Sequence, residues 1–199
     1  MATATLTAGS PGAAGRQFDT DLPDGLRRAI RGEVRFDRGS RALYATDGSN
    51  YRQVLIGVVV PRDLDDVAST VDICRQHRVP ILSRGGGTSL AGQCCNVAVV
   101  MDMSKYVNRV VSIDAERKIA RVEPGVVLDG LQHEAAAHGL IFGPDPATHT
   151  HCTLGGMLGN KQRRSCAVHA CPDARPGCAL RVPERRMPTF HFRHWYGPG

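Results

Sequence analysis

The stretch Ser83-Arg84-Gly85-Gly86-Gly87-Thr88-Ser89-Leu90-Ala91-Gly92-Gln93 has the composition of an anion cradle. Three successive glycines let the main chain turn with positive φ and come close to a ligand, with amides facing it. The Thr88 and Ser89 hydroxyls and the Arg84 charge complete a donor set suited to a pyrophosphate. A lone glycine run is more often a flexible turn. Here an apolar segment ends at Leu82, so the run sits at the carboxyl end of an expected strand, where such ligands bind. A nicotinamide-type G-x-G-x-x-G would need glycine at position 90, which is Leu90. A phosphate loop ending in Gly-Lys is also absent, because Asn160 separates Gly159 from Lys161.

A second loop runs from Phe142 to Asn160 and pairs Pro144 and Pro146 with the later glycines Gly155 and Gly156. The prolines make rigid turns, and the glycine pair is expected to expose backbone. Thr148, Thr153 and Asn160 offer side-chain hydrogen bonds of the kind that read a ring edge. His149, His151 and Cys152 cluster in the same loop. Either histidine could face a substrate, but solvent-facing loop positions are the expected fate, and no catalytic residue is assigned. Cys166, Cys171 and Cys178 with His169 lack the paired two-to-four-residue spacing of a zinc site, and adjacent Cys94 and Cys95 do not readily chelate one tetrahedral ion. No metal site is expected, and all seven cysteines are read as reduced thiols.

The elements that position these loops follow from periodicity. Leu22, Leu26 and Ile30 mark a short helix. Val54 to Val60 is β-branched and apolar on both faces, a buried strand closed by Pro61. A helix follows, capped by Asp63, with Leu64, Val67, Ala68, Val71 and Cys74 at helical spacing. Val79 to Leu82 is the next strand, making a parallel βαβ unit, and Asn96 to Met103 supplies a third. Residues Arg109–Ile113 and Lys118–Glu123 read as a hairpin. The helix Val127–His138 stops at Gly139, and Leu140 to Phe142 is extended again. A parallel unit, a hairpin and connecting helices together indicate an α+β fold.

Charge divides the chain. Its 199 residues carry a net +6, but residues 1–160 hold 17 Lys/Arg and 17 Asp/Glu, whereas residues 161–199 hold 8 and 2. That tail also contains 3 of the 7 cysteines, 5 of the 12 prolines and the single tryptophan, without periodicity. It reads as a basic irregular segment, of a kind that an out-of-frame or spliced coding sequence yields. No folded motif frames its arginines, so a nucleic-acid partner is not expected. Residues 1–20 read as a disordered leader with no secretory pattern and no apolar run reaches membrane-spanning length, so a cytoplasmic protein is expected.

Three motifs in order, P-I-L-S-R-G-G-G-T-S-L-A-G-Q, then V-E-P-G at Val122–Gly125, then G-P-D-P-A-T…C-T-L-G-G-M-L-G-N, resemble the FAD-linked oxidase family named after vanillyl-alcohol oxidase and p-cresol methylhydroxylase. The nearest likeness is to bacterial D-lactate and glycolate dehydrogenases that carry a downstream iron–sulfur domain. The resemblance covers roughly residues 40–160. It implies a two-lobed α+β FAD-binding domain of the p-cresol methylhydroxylase (PCMH) type over 21–160, incomplete at its C-terminal end. It also implies FAD as cofactor, held by Ser83, Arg84, Gly85, Gly86, Gly87, Thr88, Ser89, Gln93, Pro124, Gly125, Pro144, Asp145, Thr148, Thr153, Gly155, Gly156 and Asn160.

Members that attach flavin covalently through the first loop use a histidine where this chain has Thr88, so the implied FAD is dissociable. The implied chemistry is oxidation of a D-2-hydroxy acid such as lactate or glycolate by hydride transfer to flavin, with an unspecified electron acceptor. The alternative is a nucleotide-binding module without turnover. Similarity dissolves at Lys161, where the family continues N-S-C-G-V-H, and Ser165, Cys166, Val168 and His169 are its residue. The substrate-cap groups have no counterpart, so the chain alone is expected to be inactive.

Overall fold

The computed structural model describes residues 21–160 and the backbone of two short strands at 190–193 and 195–196. The leader and the other tail residues, with the readings made of them, lie outside the described residues. The first lobe opens with helix α1 (Leu22–Ala29), strand β1 (Glu33–Arg35) and helix α2 (Arg38–Leu43). It continues through β2 (Gly57–Val60), α3 (Leu64–Gln76), β3 (Ile81–Arg84) and β4 (Val99–Asp102). The sheet order is β1-β2-β4-β3, with β1 antiparallel and the rest parallel.

The βαβ unit is therefore parallel, but β4 lies between its two strands. Residues Val99 to Asp102 are buried throughout, as suits a central strand covered on both faces, whereas Ile81–Arg84, half-buried except for exposed Ser83, takes the edge. Asp63 caps α3 by accepting from the Asp66 amide. Leu22 and Leu26 of α1 pack with Cys74 of α3 on Val59 and Val99 of one sheet face. Ala45, Leu55, Val58, Val60 and Val100 form the core of the other.

The second lobe contains the hairpin β5 (Val110–Asp114) and β6 (Ile119–Val122), helix α4 (Leu128–Ala136), strand β7 (Ile141–Phe142) and helix α5 (Leu154–Gly159). Its core joins Val122, Leu128, Leu131, Phe142, Leu154 and Met157. Gln132 of α4 fastens β7, its side-chain amide donating to the Phe142 carbonyl at 2.8 Å and accepting from the Phe142 amide at 2.8 Å. Within the tail read as irregular, β8 (Phe190–Arg193) pairs with β6 and β9 (Trp195–Tyr196) with β7. Among the described residues, no helix is long and apolar enough to cross a membrane.

Candidate functional site

The glycine loop leaves the carboxyl end of β3 and meets the segment 151–157 of the second lobe. Each glycine answers a different demand. A Cβ on Gly85 would overlap the Thr153 hydroxyl, and one on Gly86 would overlap the His151 main-chain carbonyl. Gly87 has φ +66, in the left-handed region, and turns the loop back. Two of the three glycines thus serve the approach of the lobes to each other.

A cleft opens where the loops meet, lined by Gly85, Gly86, Gly87, Thr88, Ser89, Cys94, Cys152, Thr153, Gly156, Met157 and Asn160. Among the described residues, nothing accepts a hydrogen bond from the main-chain amides of Gly86, Gly87, Thr88, Ser89 or Leu90. A run of consecutive donors left open beside a cleft forms a concavity that an anion can occupy, and water meets the amides of exposed Gly86 and Leu90 when none does. The Ser89 hydroxyl donates to the Gln93 side-chain carbonyl, and the Gln93 amide donates back to that hydroxyl at 3.3 Å. Gln93 therefore closes the loop on itself.

The 153–156 segment behaves differently. From sequence, Gly155 and Gly156 are expected to expose backbone, but their amides are paired inside the protein. The Leu154 amide donates to Val126 at 2.9 Å, that of Gly155 to Pro124 at 2.9 Å, and that of Gly156 to the Thr153 hydroxyl at 3.3 Å. These bonds cap and anchor α5, a helix that the glycine pair hides from a periodicity search. They also lock the V-E-P-G segment to the last motif, so the three motifs noted in the sequence do converge.

The remaining candidates are dispersed around this centre. Ser83 is an exposed position of β3, and Arg84 turns to Tyr44, donating to its carbonyl at 3.1 Å. Gly125 is buried, its amide donating to Val107 at 2.8 Å. Glu123 beside it is buried as well and accepts from the Arg109 amide at 2.8 Å and guanidinium at 2.7 Å, which fixes the start of the hairpin. Pro144, Asp145 and Thr148 lie in the connecting loop outside the cleft lining, where the Thr148 carbonyl accepts from His151 and Cys152 at 2.8 Å each. Asn160 lines the cleft while its side-chain amide donates to Gly156 at 3.0 Å.

Neither loop histidine lines the cleft. His149 Nδ1 pairs with Asp129 at 2.6 Å, which raises its pKa above the ordinary value, and His151 Nδ1 sits 2.6 Å from the Thr150 hydroxyl. Sequence reasoning did not find Cys94, Cys152 and Met157 as lining residues, nor the bend from Tyr44 to Tyr51 behind the glycine loop. There the Gly48 amide donates to the Gly87 carbonyl at 2.9 Å, and Asp47 accepts from the Cys94 amide at 3.2 Å. The D-G-S-N letters at 47–50 are a turn signal, which was the available clue. Burial raises the pKa of both Cys94 and Cys152, so these thiols stay protonated at neutral pH.

Residues 56–169 match the family described as FAD binding domain. The chain belongs to this FAD-binding domain family. Its cofactor is FAD, and the match runs past Asn160 through the residual Ser165, Cys166, Val168 and His169. This FAD-binding domain is 36% identical over 132 residues to D-2-hydroxyglutarate dehydrogenase of Pseudomonas putida, covering 65% of this chain and 13% of that protein. It is 33% identical over 133 residues to the glycolate oxidase subunit GlcD of Bacillus subtilis, covering 65% of this chain and 28% of that one. The chain thus spans between 13% and 28% of the length of these relatives. Among solved structures, p-cresol methylhydroxylase shares the fold at a TM-score of 0.60 and 20% identity, covering 71% of this chain and 28% of that one. An alkyldihydroxyacetonephosphate synthase does so at 0.62 and 20%, covering 69% and 31%. The two lobes are therefore those of a PCMH-type FAD-binding domain.

Proposed function

We propose that the domain holds the FAD diphosphate on the amides of Gly86, Gly87, Thr88, Ser89 and Leu90, as part of an oxidoreductase acting on a D-2-hydroxy acid. The observation that carries this is the run of amides beside the cleft that have no acceptor among the described residues. The hydroxyl of Thr88 adds a donor, that of Ser89 being engaged with Gln93, while Thr153 and Asn160 face the cleft from the second lobe and would border the cofactor there. Gly155 acts behind them, its amide holding the two motifs together through the Pro124 carbonyl, while Gly125 is fixed to Val107. FAD, when bound, supplies the acceptor for the hydride of the hydroxy acid.

The substrate class comes from the relatives, which are named as dehydrogenases of D-2-hydroxyglutarate and a subunit of glycolate oxidase. Thr88 in the first loop supports a dissociable rather than covalent cofactor. A second reading, binding without turnover by this chain alone, is favoured by one feature: among the described residues, those lining the cleft carry no carboxylate, imidazole or amine. The described residues that line the cleft thus offer donors for binding, and none of them is suited to take the substrate proton.

Titration of the full 199-residue chain with FAD and with FMN, followed by flavin fluorescence, tests the binding step. Tighter binding of FAD is expected, with release of free flavin on acid precipitation. Folded protein that takes up no FAD sinks the proposal. Anaerobic addition of D-2-hydroxyglutarate, D-lactate or glycolate to the loaded protein then separates the two readings, because bleaching of the flavin band requires turnover.

A further inference from the structure

We infer that Arg84 is a positioning residue, which sets the turn at Gly87 from behind instead of contacting the ligand anion; this rests on the diphosphate reading of the glycine loop. Arginine next to a triple glycine invites the opposite assignment, a charge for a phosphate. The geometry points away from it. The Arg84 guanidinium donates to the Tyr44 carbonyl at 3.1 Å and stacks over the Tyr44 ring, its central carbon 5.2 Å from the centroid. Its other edge lies beneath Gly87, where an added Cβ would come within 2.7 Å of Nη2 and 3.2 Å of Nε. The guanidinium thus lies between the Tyr44 ring and the turn at Gly87.

The ring is itself fixed. The Tyr44 hydroxyl donates to Asp102 at 2.6 Å, and Asp102 also accepts from the Ser104 amide at 2.8 Å and hydroxyl at 2.7 Å. Burial, with the Asp102 carboxylate beside it, pushes the Tyr44 hydroxyl up to about 12, so it remains a donor at any working pH. Asp102 is the last residue of the central strand and the register partner of Arg84. A continuous series of contacts therefore runs from the sheet through Tyr44 and Arg84 to Gly87, within the run of unpaired amides. A flat guanidinium can stack and donate in plane at once, and lysine can do neither in that way.

The experiment compares Arg84→Lys, Arg84→Gln and Tyr44→Phe in the full chain. FAD affinity is measured across a salt series, and amide resonances of Gly86 to Ser89 are recorded without ligand. If Arg84 positions the loop, Lys and Gln weaken FAD alike, by about tenfold, the scale of one well-placed hydrogen bond. Both also move the loop amides in the ligand-free protein while resonances elsewhere stay in place. Tyr44→Phe keeps the stack and the carbonyl acceptor and gives a smaller shift in the same direction. Retention of wild-type affinity by Lys, with loss and a reduced salt dependence in Gln and unmoved ligand-free amides, overturns the inference. Should Gln fail to fold, Lys and Tyr44→Phe decide the matter. Should the wild type bind no FAD, the diphosphate reading falls, and the ligand-free amide shifts still decide the role of Arg84.

Discussion

The two glycine-rich loops meet across one cleft and use their backbones in opposite ways. In the loop after β3, the amides from Gly86 to Leu90 are unpaired among the described residues, and glycine is needed for close approach and for one positive φ. In the segment that opens α5, the amides of Leu154, Gly155 and Gly156 are all taken by Val126, Pro124 and Thr153. The first loop leaves its donors without acceptors among the described residues, and the second uses its donors to join two motifs of one lobe. A glycine cluster alone therefore does not mark a ligand site. What separates the two loops is the fate of the amides, because unpaired main-chain donors persist only where a partner or solvent meets them.

Gly86→Ala should break the contrast most severely, since its Cβ would run into the His151 main-chain carbonyl, which cannot rotate away. We expect a loss of about 2–3 kcal/mol of stability, as for overpacking, together with loss of FAD binding. Chemical denaturation and FAD titration check this. Gly85→Ala should cost somewhat less, because the buried Thr153 hydroxyl it meets can turn away, though only by giving up its cap on Gly156. Equal effects of the two substitutions would mean that the lobes do not touch as described.

Gly87→Ala sharpens the contrast from the ligand side. Holding alanine at φ +66 costs about 1–2 kcal/mol, and the Arg84 guanidinium must shift as well. Since the amide of Gly87 is one of the unpaired donors, FAD affinity should fall further than global stability does. Thr153→Ala tests the opposite loop. Removing the α5 cap should cost about 1 kcal/mol in thermal or urea unfolding, with a smaller change in FAD affinity. If Thr153→Ala weakened FAD as much as Gly87→Ala, the cap would have to be counted as a ligand contact.

Much of the scaffold was legible because burial leaves a period in the letters. The V-V-V and V-V-M runs of β2 and β4, the Asp63 cap of α3 and the Leu128, Leu131, Ala135 stripe of α4 are all readable in that way. Strand β1 and helix α2 were not. Each is short, and the exposed side of Arg38–Leu43 carries no apolar stripe, its start being marked only by Asp37 accepting from Ser40. The position of the glycine loop at the end of β3 followed from Pro80-Ile81-Leu82, yet which amides stay free could not. That depends on Val126 and Pro124, far along the chain from the first loop but hydrogen-bonded to the second. The role of the Tyr44 to Tyr51 bend was invisible for the same reason: Asp47 and Gly48 reach Cys94 and Gly87 only through the fold.

The smallest expected effect concerns the exposed pair of His149 and Asp129, which ties the connecting loop to the first turn of α4. The Asp129 carboxylate holds the His149 imidazole above its ordinary pKa, first by hydrogen bonding and then by charge, with Asp145 adding a weaker pull in the same direction. A raised folded pKa means that the pair's contribution is fully present below the unfolded value of about 6.5 and is lost as pH rises through the folded one. Comparison of the wild type with Asp129→Asn should therefore show a gap in Tm near about pH 5.5 that closes by about pH 8.5. Added salt should shrink it, since both side chains are open to solvent. The second loop is secured mainly by uncharged main-chain bonds, so the gap should stay small. A large gap, or one that widens with rising pH, would show that the connecting loop depends on this ion pair and not on the amides that Val126, Pro124 and Thr148 hold.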